Sequence, residues 1–252
     1  MDSFLNMEKE LIVDGFYLWK GIFPIQTILQ IKTILQKANA EWKKLYDHPL
    51  VINSAYLTST KFIQNAEERD ILFQFIASKT ILEICKNILK TDYYFLNTQI
   101  FFNPVDDKKL PYWHRDIQYL EITEEEQKTK IQKDFVWHFR IPLEEDPGIW
   151  IVPGSHIRWD HEKEREVRLE MNNHRSDEPL TNQILIPHDP GDLFVFSSHL
   201  LHKGEYGKNR FSFDILYTNF PESKETVAKW DHFPNCNESS LTTEQRKLFV
   251  TK

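Results

Sequence analysis

The chain has 252 residues, 40% of them hydrophobic and 13% aromatic, which is enough to bury a substantial core and rules out wholesale disorder. Its 31 basic and 38 acidic side chains leave a formal charge of −7, so no protein-wide positive field is available for nucleic acid or an anionic membrane. No apolar run approaches the roughly 18 residues of a membrane span. Cys85 and Cys236 are the only cysteines, which predicts reduced thiols and a cytoplasmic protein.

The first stretch, MDSFLNMEKELIVDGF, is acidic where a signal peptide is basic, and the first arginine is Arg69. Both features argue against a leader and predict a mature start near Met1. Between Pro24 and Tyr46, apolar residues recur at Ile28, Ile31, Leu35, Ala38, Trp42 and Leu45, the spacing of one helical face, with Pro24 suited to its first turn. A second helical stretch runs from about Glu67 to Lys90, with a break near Ser78, where the serine would cap a new helix.

After Thr91 the character changes. Tyr93 to Phe102, Phe135 to Leu143, Ile149 to Val152, Leu193 to Phe196 and Arg210 to Asn219 are rich in aromatic and other strand-favouring residues. Short strands between Pro and Gly turns predict an antiparallel sandwich or barrel. The charged segment Trp159 to Arg175 reads as a solvated loop or short helix over one end. The expected organisation is a single domain over 1–252: a helical flank at 1–90, a barrel at 91–220 and a tail at 221–252 with a short helix near Glu244 to Val250.

The triplet His114-Arg115-Asp116 carries the first chemical signal. If Tyr112 to Gln118 is a strand, His114 and Asp116 leave one face while Arg115 points away. The second signal is Gly191-Asp192-Leu193-Phe194-Val195-Phe196, followed by His199-Leu200-Leu201-His202-Lys203-Gly204 and then Arg210-Phe211-Ser212. Two histidines and a carboxylate on a β scaffold suit non-haem Fe(II), with three positions left open. Such an ion can chelate a dianionic 2-oxo acid, whose far carboxylate needs a cation; the Arg210 fork, with the Ser212 hydroxyl beside it, can supply one.

The order His-x-Asp, then Ile151-Val152-Pro153-Gly154-Ser155-His156, then Gly191-Asp192 with Leu-Leu-His and Arg downstream, resembles the phytanoyl-CoA dioxygenase family of Fe(II)/2-oxoglutarate oxygenases from about Asp14 to Phe220. The resemblance implies a mainly β fold with flanking helices, a double-stranded β-helix or jelly-roll, cupin-like barrel. It implies iron bound by His114, Asp116 and His202, and 2-oxoglutarate held at its distal carboxylate by Arg210 and Ser212, with Asn97 or Gln99 at its near end. His199 competes with His202, whose Leu-Leu-His-x-Gly setting matches the family better.

The remaining features have simpler readings. Pro153 and Gly154 make a tight turn in which Ser155 and His156 bond the backbone. Trp113, Trp137, Phe139 and Trp150 are either core or pocket wall, and His138 and Arg140 alternate with two of them, so one set faces in. The run Arg158 to Arg168 is a solvated face, or a lid presenting Arg158, Lys163, Arg165 or Arg168 to an anionic substrate.

The expected function is therefore oxidation of an unactivated C–H bond in a small organic substrate, using O2 and 2-oxoglutarate and releasing succinate and CO2. Asp116 retains a carboxylate where related halogenases carry a small residue, which favours hydroxylation. The alternatives are a cupin-type metalloenzyme without 2-oxoglutarate and a non-catalytic barrel that binds metal or a small ligand. No nucleic-acid or membrane partner is expected.

Overall fold

A computed structural model describes residues 2–89, 92–207, 209–220, 230–235 and 240–249, so Cys236, Val250 and the Lys90–Thr91 junction lie outside the described residues. Helix α1 (Asp2–Val13) and strand β1 (Phe16–Trp19), neither expected from the sequence, precede α2 (Ile25–Tyr46). Helix α2 starts directly after Pro24 and buries Ile28, Ile31, Ile34, Leu35 and Ala38, the face that the spacing predicts. Leu45 is exposed, because the last turn from Lys44 onward lies clear of the core.

The second helical stretch is α3 (Ala66–Ile76) and α4 (Lys79–Leu89). Asn65 Oδ1 accepts from the Glu68 amide at 3.0 Å, and Glu67 and Glu68 sit in the first turn of α3, favourable at the positive end of its dipole. The break falls at Ala77–Ser78 as expected, but Ser78 contributes through its carbonyl, which accepts from Leu82 N at 2.9 Å; its hydroxyl has no partner among the described residues.

The strands that follow are β2 (Asn53–Ala55), β3 (Tyr94–Phe102), β4 (Val136–Pro142), β5 (Asp146–Ile151), β6 (Ile184–His188), β7 (Leu193–Ser197), β8 (His202–Gly204) and β9 (Phe211–Thr218). Short helices α5 (Glu124–Lys130) and α6 (Glu162–Arg168) lie between them, and Thr243–Arg246 forms the expected tail helix. All pairings are antiparallel, in a six-stranded sheet ordered β1-β7-β4-β9-β3-β2 and a three-stranded sheet ordered β6-β5-β8.

This is the jelly-roll arrangement with flanking helices, but the sheets do not close into the barrel that the sequence predicts. The fourth strand of the small sheet is missing. Tyr112 to Gln118, the conditional strand, forms only one bridge, His114 to His202, and the chain then turns into a 3-10 helix at Asp116–Tyr119. The N-terminal third is mostly helical, as expected, but it also supplies two short strands to the large sheet, β1 on β7 and β2 on β3.

The large sheet has two dissimilar faces. Trp137, Phe139 and Ile141 of β4, Phe213, Ile215 and Tyr217 of β9, and Ile100 of β3 pack on the helices in the main core. Each fully buried Ile or Phe contributes about 1.5–3 kcal/mol. The opposite face, which carries His138, Arg140 and Phe196, turns towards the small sheet. Ile149, Ile151, Phe194, Phe196 and Leu200 fill part of the space between the sheets. No described helix is long and apolar enough to cross a membrane.

Candidate metal centre

The bridge between His114 and His202 builds the site. Each amide donates to the other's carbonyl at 3.0 Å, so two imidazoles far apart in sequence leave one surface side by side, with ring centroids 4.1 Å apart. The Asp116 amide donates to Ser198 O at 3.1 Å, which swings its carboxylate round under both rings. Asp116 Oδ1 lies 3.6 Å from His114 Nε2 and 3.5 Å from His202 Nε2. Two ligands each about 2.1 Å from one ion are at most about 4.2 Å apart, so both separations fit a shared ion.

The tautomers fit as well. Nδ1 of His114 faces Tyr112 O at 3.1 Å and Nδ1 of His202 faces Leu200 O at 2.9 Å, which leaves both Nε2 lone pairs for the shared point. Burial pushes His202 down to about 3 and also lowers His114, so both rings are neutral, the form that binds metal. Asp116 Oδ2 is occupied separately, accepting from His138 Nε2 at 2.7 Å. Burial favours a protonated Asp116, but the charge and hydrogen bond of His138 outweigh it and hold the carboxyl well below its usual range. The donor set, two imidazoles and one free carboxylate oxygen, suits Fe(II).

His138 was not singled out by the sequence beyond its alternation. It faces inward and forms a buried chain: its Nδ1 meets Asp214 Oδ2 at 2.9 Å, and Asp214 accepts from Arg140 Nε at 2.6 Å and Nη2 at 2.8 Å. Burial opposes charge on His138, yet the carboxylates on either side raise it to about 9, so the ring is protonated at neutral pH. Trp137 and Phe139, the alternating set, face the helical core, while Trp113 and Trp150 pack in a separate cluster behind the small sheet. None of the four aromatics lines the cavity.

That cavity is about 740 Å³, and its wall includes His114, Asp116, His202, His138, Arg140 and Arg210. Arg210 is 4% exposed, with its guanidinium laid against Gly204 and Asp146 Oδ2 at 3.5 Å from its Nε, too far for a hydrogen bond. Gln99 lines the same cavity, whereas Asn97, although in register with the cavity residue Leu216, does not. Ser212 departs from expectation: its hydroxyl donates to Asp146 Oδ2, it is fully buried, and it does not reach the cavity. The strand-face argument placed it beside Arg210, but the guanidinium turns towards Gly204 on the other sheet.

His199 is drawn away from the centre, its Nε2 facing Asp134 O at 2.6 Å. The Pro-Gly turn forms as expected, with Gly154 at φ 72°, and Ser155 Oγ donates to Val152 O at 2.7 Å while accepting from Leu201 N at 2.8 Å. Arg115 gathers these motifs. Fully buried, it donates from Nε to Asp160 Oδ1 at 2.7 Å and from Nη1 to Ser155 O at 2.7 Å and to His199 O. Asp160 also accepts from Arg168 at 2.6 Å, so the run from Arg158 to Arg168 is in part a buried ion network and not a solvated face. Arg158, Lys163, Arg165 and Arg168 do not line the cavity.

The sequence model of the phytanoyl-CoA dioxygenase (PhyH) family matches residues 24–210. No curated protein matches the chain. Among solved structures, the fold is similar to the non-haem alpha-ketoglutarate-dependent carbocyclase SnoK from nogalamycin biosynthesis, at 16% identity over 86% of this chain and 84% of that one, with a TM-score of 0.62. It is similar to AviO1 from Streptomyces viridochromogenes Tue57 at 18% identity, over 84% and 93% of the two chains, with a TM-score of 0.57. It is also similar to EctD from S. alaskensis, solved with 2-oxoglutarate and 5-hydroxyectoine, at 13% identity, over 84% and 74%, with a TM-score of 0.60.

Proposed function

The chain belongs to the phytanoyl-CoA dioxygenase family, and from that premise we propose that it is a non-haem iron, 2-oxoglutarate-dependent oxygenase that hydroxylates an unactivated C–H bond of a small organic substrate and releases succinate and CO2. The observation that supports this most is the convergence of His114, Asp116 and His202 on a cavity that also holds the buried Arg210 guanidinium. Bound Fe(II) would supply activation of O2, which no side chain here can do.

The chain's own residues position and shield. His114 and His202 offer Nε2, and Asp116 offers Oδ1 because His138 holds its Oδ2. Arg210 faces the distal carboxylate of 2-oxoglutarate, and Gln99 is the candidate for its near end, ahead of Asn97. Ser212 acts at one remove, holding Asp146 beside Arg210. Charge supports a dianion: Asp116, Asp146 and Asp214 are balanced by Arg140, Arg210 and protonated His138, so a divalent ion leaves a surplus that a dicarboxylate cancels.

The cavity mouth, with Tyr56, Tyr112, Tyr119, Leu120 and Phe220 in its wall, favours a substrate with a sizeable apolar portion. Asp116 keeps a carboxylate at the third ligand position, which favours hydroxyl transfer over halogenation. The reading treats 1–252 as one oxygenase domain, supported by β1 and β2 joining the large sheet.

Two other readings, a cupin-type enzyme without 2-oxoglutarate and a non-catalytic binding protein, leave at the cavity wall a buried guanidinium whose Nε has no hydrogen-bond partner among the described residues. The direct test is incubation of purified protein with Fe(II) and 2-oxoglutarate in air, without substrate. Slow, stoichiometric succinate and CO2 formation is expected; iron retained with no 2-oxoglutarate consumed would contradict the proposal.

A further inference from the structure

Arg140 is a second buried guanidinium in the cavity wall, 2% exposed, and Asp214 does not exhaust it. Asp214 takes Nε and Nη2, while Nη1 is buried and has no hydrogen-bond partner among the described residues. An unmade hydrogen bond on a buried charged group is costly, so this donor is suited to an acceptor that arrives with a ligand.

Its position matches the cosubstrate. Arg140 stands two residues beyond His138 on the same face of β4, and His138 touches the candidate ligand Asp116. Gly204 stands two residues beyond His202 on β8, and the Arg210 guanidinium lies against it. Two strand residues advance about 6.6 Å, so both guanidiniums lie one dipeptide deeper than the candidate metal ligands. They meet around one ring, with Cζ of Arg140 4.4 Å and Cζ of Arg210 5.7 Å from the Phe101 centroid. A five-carbon dicarboxylate chelated at one end carries its other carboxylate over a distance of that order. A carboxylate has about four acceptor sites, enough for two guanidiniums.

We infer that Arg140 is a second cosubstrate-binding residue, donating Nη1 to the distal carboxylate of 2-oxoglutarate alongside Arg210. The inference rests on the 2-oxoglutarate reading above. It makes the site selective for a dicarboxylate over a 2-oxo acid that lacks the distal group.

The test uses the Co(II)-loaded protein without O2, with calorimetric titration of 2-oxoglutarate and of 2-oxobutyrate, which has no distal carboxylate. Arg140→Lys keeps a cation beside Asp214 but loses the free fork. It should weaken 2-oxoglutarate by at least about tenfold, as expected for a charge-assisted hydrogen bond, and leave 2-oxobutyrate and Co(II) affinity within about twofold. If Arg140→Lys does not fold, Arg140→Gln, which leaves Asp214 on His138 and keeps an amide donor beside it, carries the same expectation. Unchanged 2-oxoglutarate affinity overturns the inference. So does an equal loss for both acids, which would mean that Arg140 acts through Asp214 and His138 on the metal end. A parent protein that holds Co(II) but binds no 2-oxoglutarate overturns the oxygenase reading itself, and this inference with it.

Discussion

His114 and His202 exchange both backbone hydrogen bonds at 3.0 Å across a single antiparallel bridge, so the main chain itself holds the two imidazoles side by side. The pairing continues a sheet whose next strand never forms, because Asp116 opens a 3-10 turn that carries its carboxylate under the rings. The convergence of these three side chains comes from the point where regular structure stops.

This geometry separates two neighbouring histidines. His202→Ala should release metal and abolish 2-oxoglutarate turnover. His199→Ala should retain metal, since its ring faces Asp134 O and not the centre. Metal content after gel filtration checks both; equal retention by the two variants would break the assignment.

Asp116 is presented through one oxygen because His138 holds the other. His138→Phe leaves that oxygen unpaired and should lower Fe(II) or Co(II) affinity about 10- to 100-fold, the usual cost of losing a hydrogen-bonded support behind a ligand. Competition against a chelator of known affinity measures it.

A methyl group can test Arg210. A Cβ added at Gly204 would lie 2.6 Å from Arg210 Nη2, and the backbone there needs no positive φ. Gly204→Ala should therefore displace the guanidinium, raise the 2-oxoglutarate KM by about tenfold or more and leave metal content unchanged. Calorimetry on the metal-loaded protein gives the same comparison at equilibrium.

Arg115 is a stability prediction. Arg115→Met leaves Asp160 buried with one partner fewer and opens two backbone acceptors, which should cost about 3–5 kcal/mol. The exposed pair Arg175–Asp177 is the control, and Arg175→Ala should change stability by less than about 0.5 kcal/mol. Urea unfolding of the two variants side by side reads the difference.

Acid should weaken the fold through His156. Burial, only partly offset by a backbone hydrogen bond to Ile12, lowers this imidazole from 6.5 to about 4. Between those values the unfolded chain binds a proton that the folded chain refuses, so stability falls as pH drops through the window and levels off below it. The loss attributable to this group is up to about 3 kcal/mol. Metal-free His156→Gln should show a correspondingly flatter fall between pH 7 and pH 4.5 in urea titrations.

Legibility in the sequence followed length for some elements only, since the 12-residue α1 and the five-residue β6 were missed. Helix α2 shows its buried face over six turns, and β3, β4 and β9 are long enough to display strand composition. Strands β1, β2 and β8 have only three or four residues, too few for alternation to register, and were missed. The cluster of His114, Asp116 and His202 was legible because its motifs are local and in a recognisable order. Ser212 was misplaced because strand parity reports which face a side chain leaves and not where a long neighbour such as Arg210 bends. The Arg158–Arg168 run looked solvated because charge in sequence does not reveal that Asp160 pairs two guanidiniums inside the fold.

The central claim is that His114, Asp116 and His202 hold one Fe(II) with room for 2-oxoglutarate beside Arg210. Anaerobic titration of the purified protein with Fe(II) and then 2-oxoglutarate tests it by visible absorbance. The account predicts a weak charge-transfer band that saturates at one equivalent of each and is absent in Asp116→Ala. A folded protein that gives no band, or an Asp116→Ala variant that keeps it, would contradict the account.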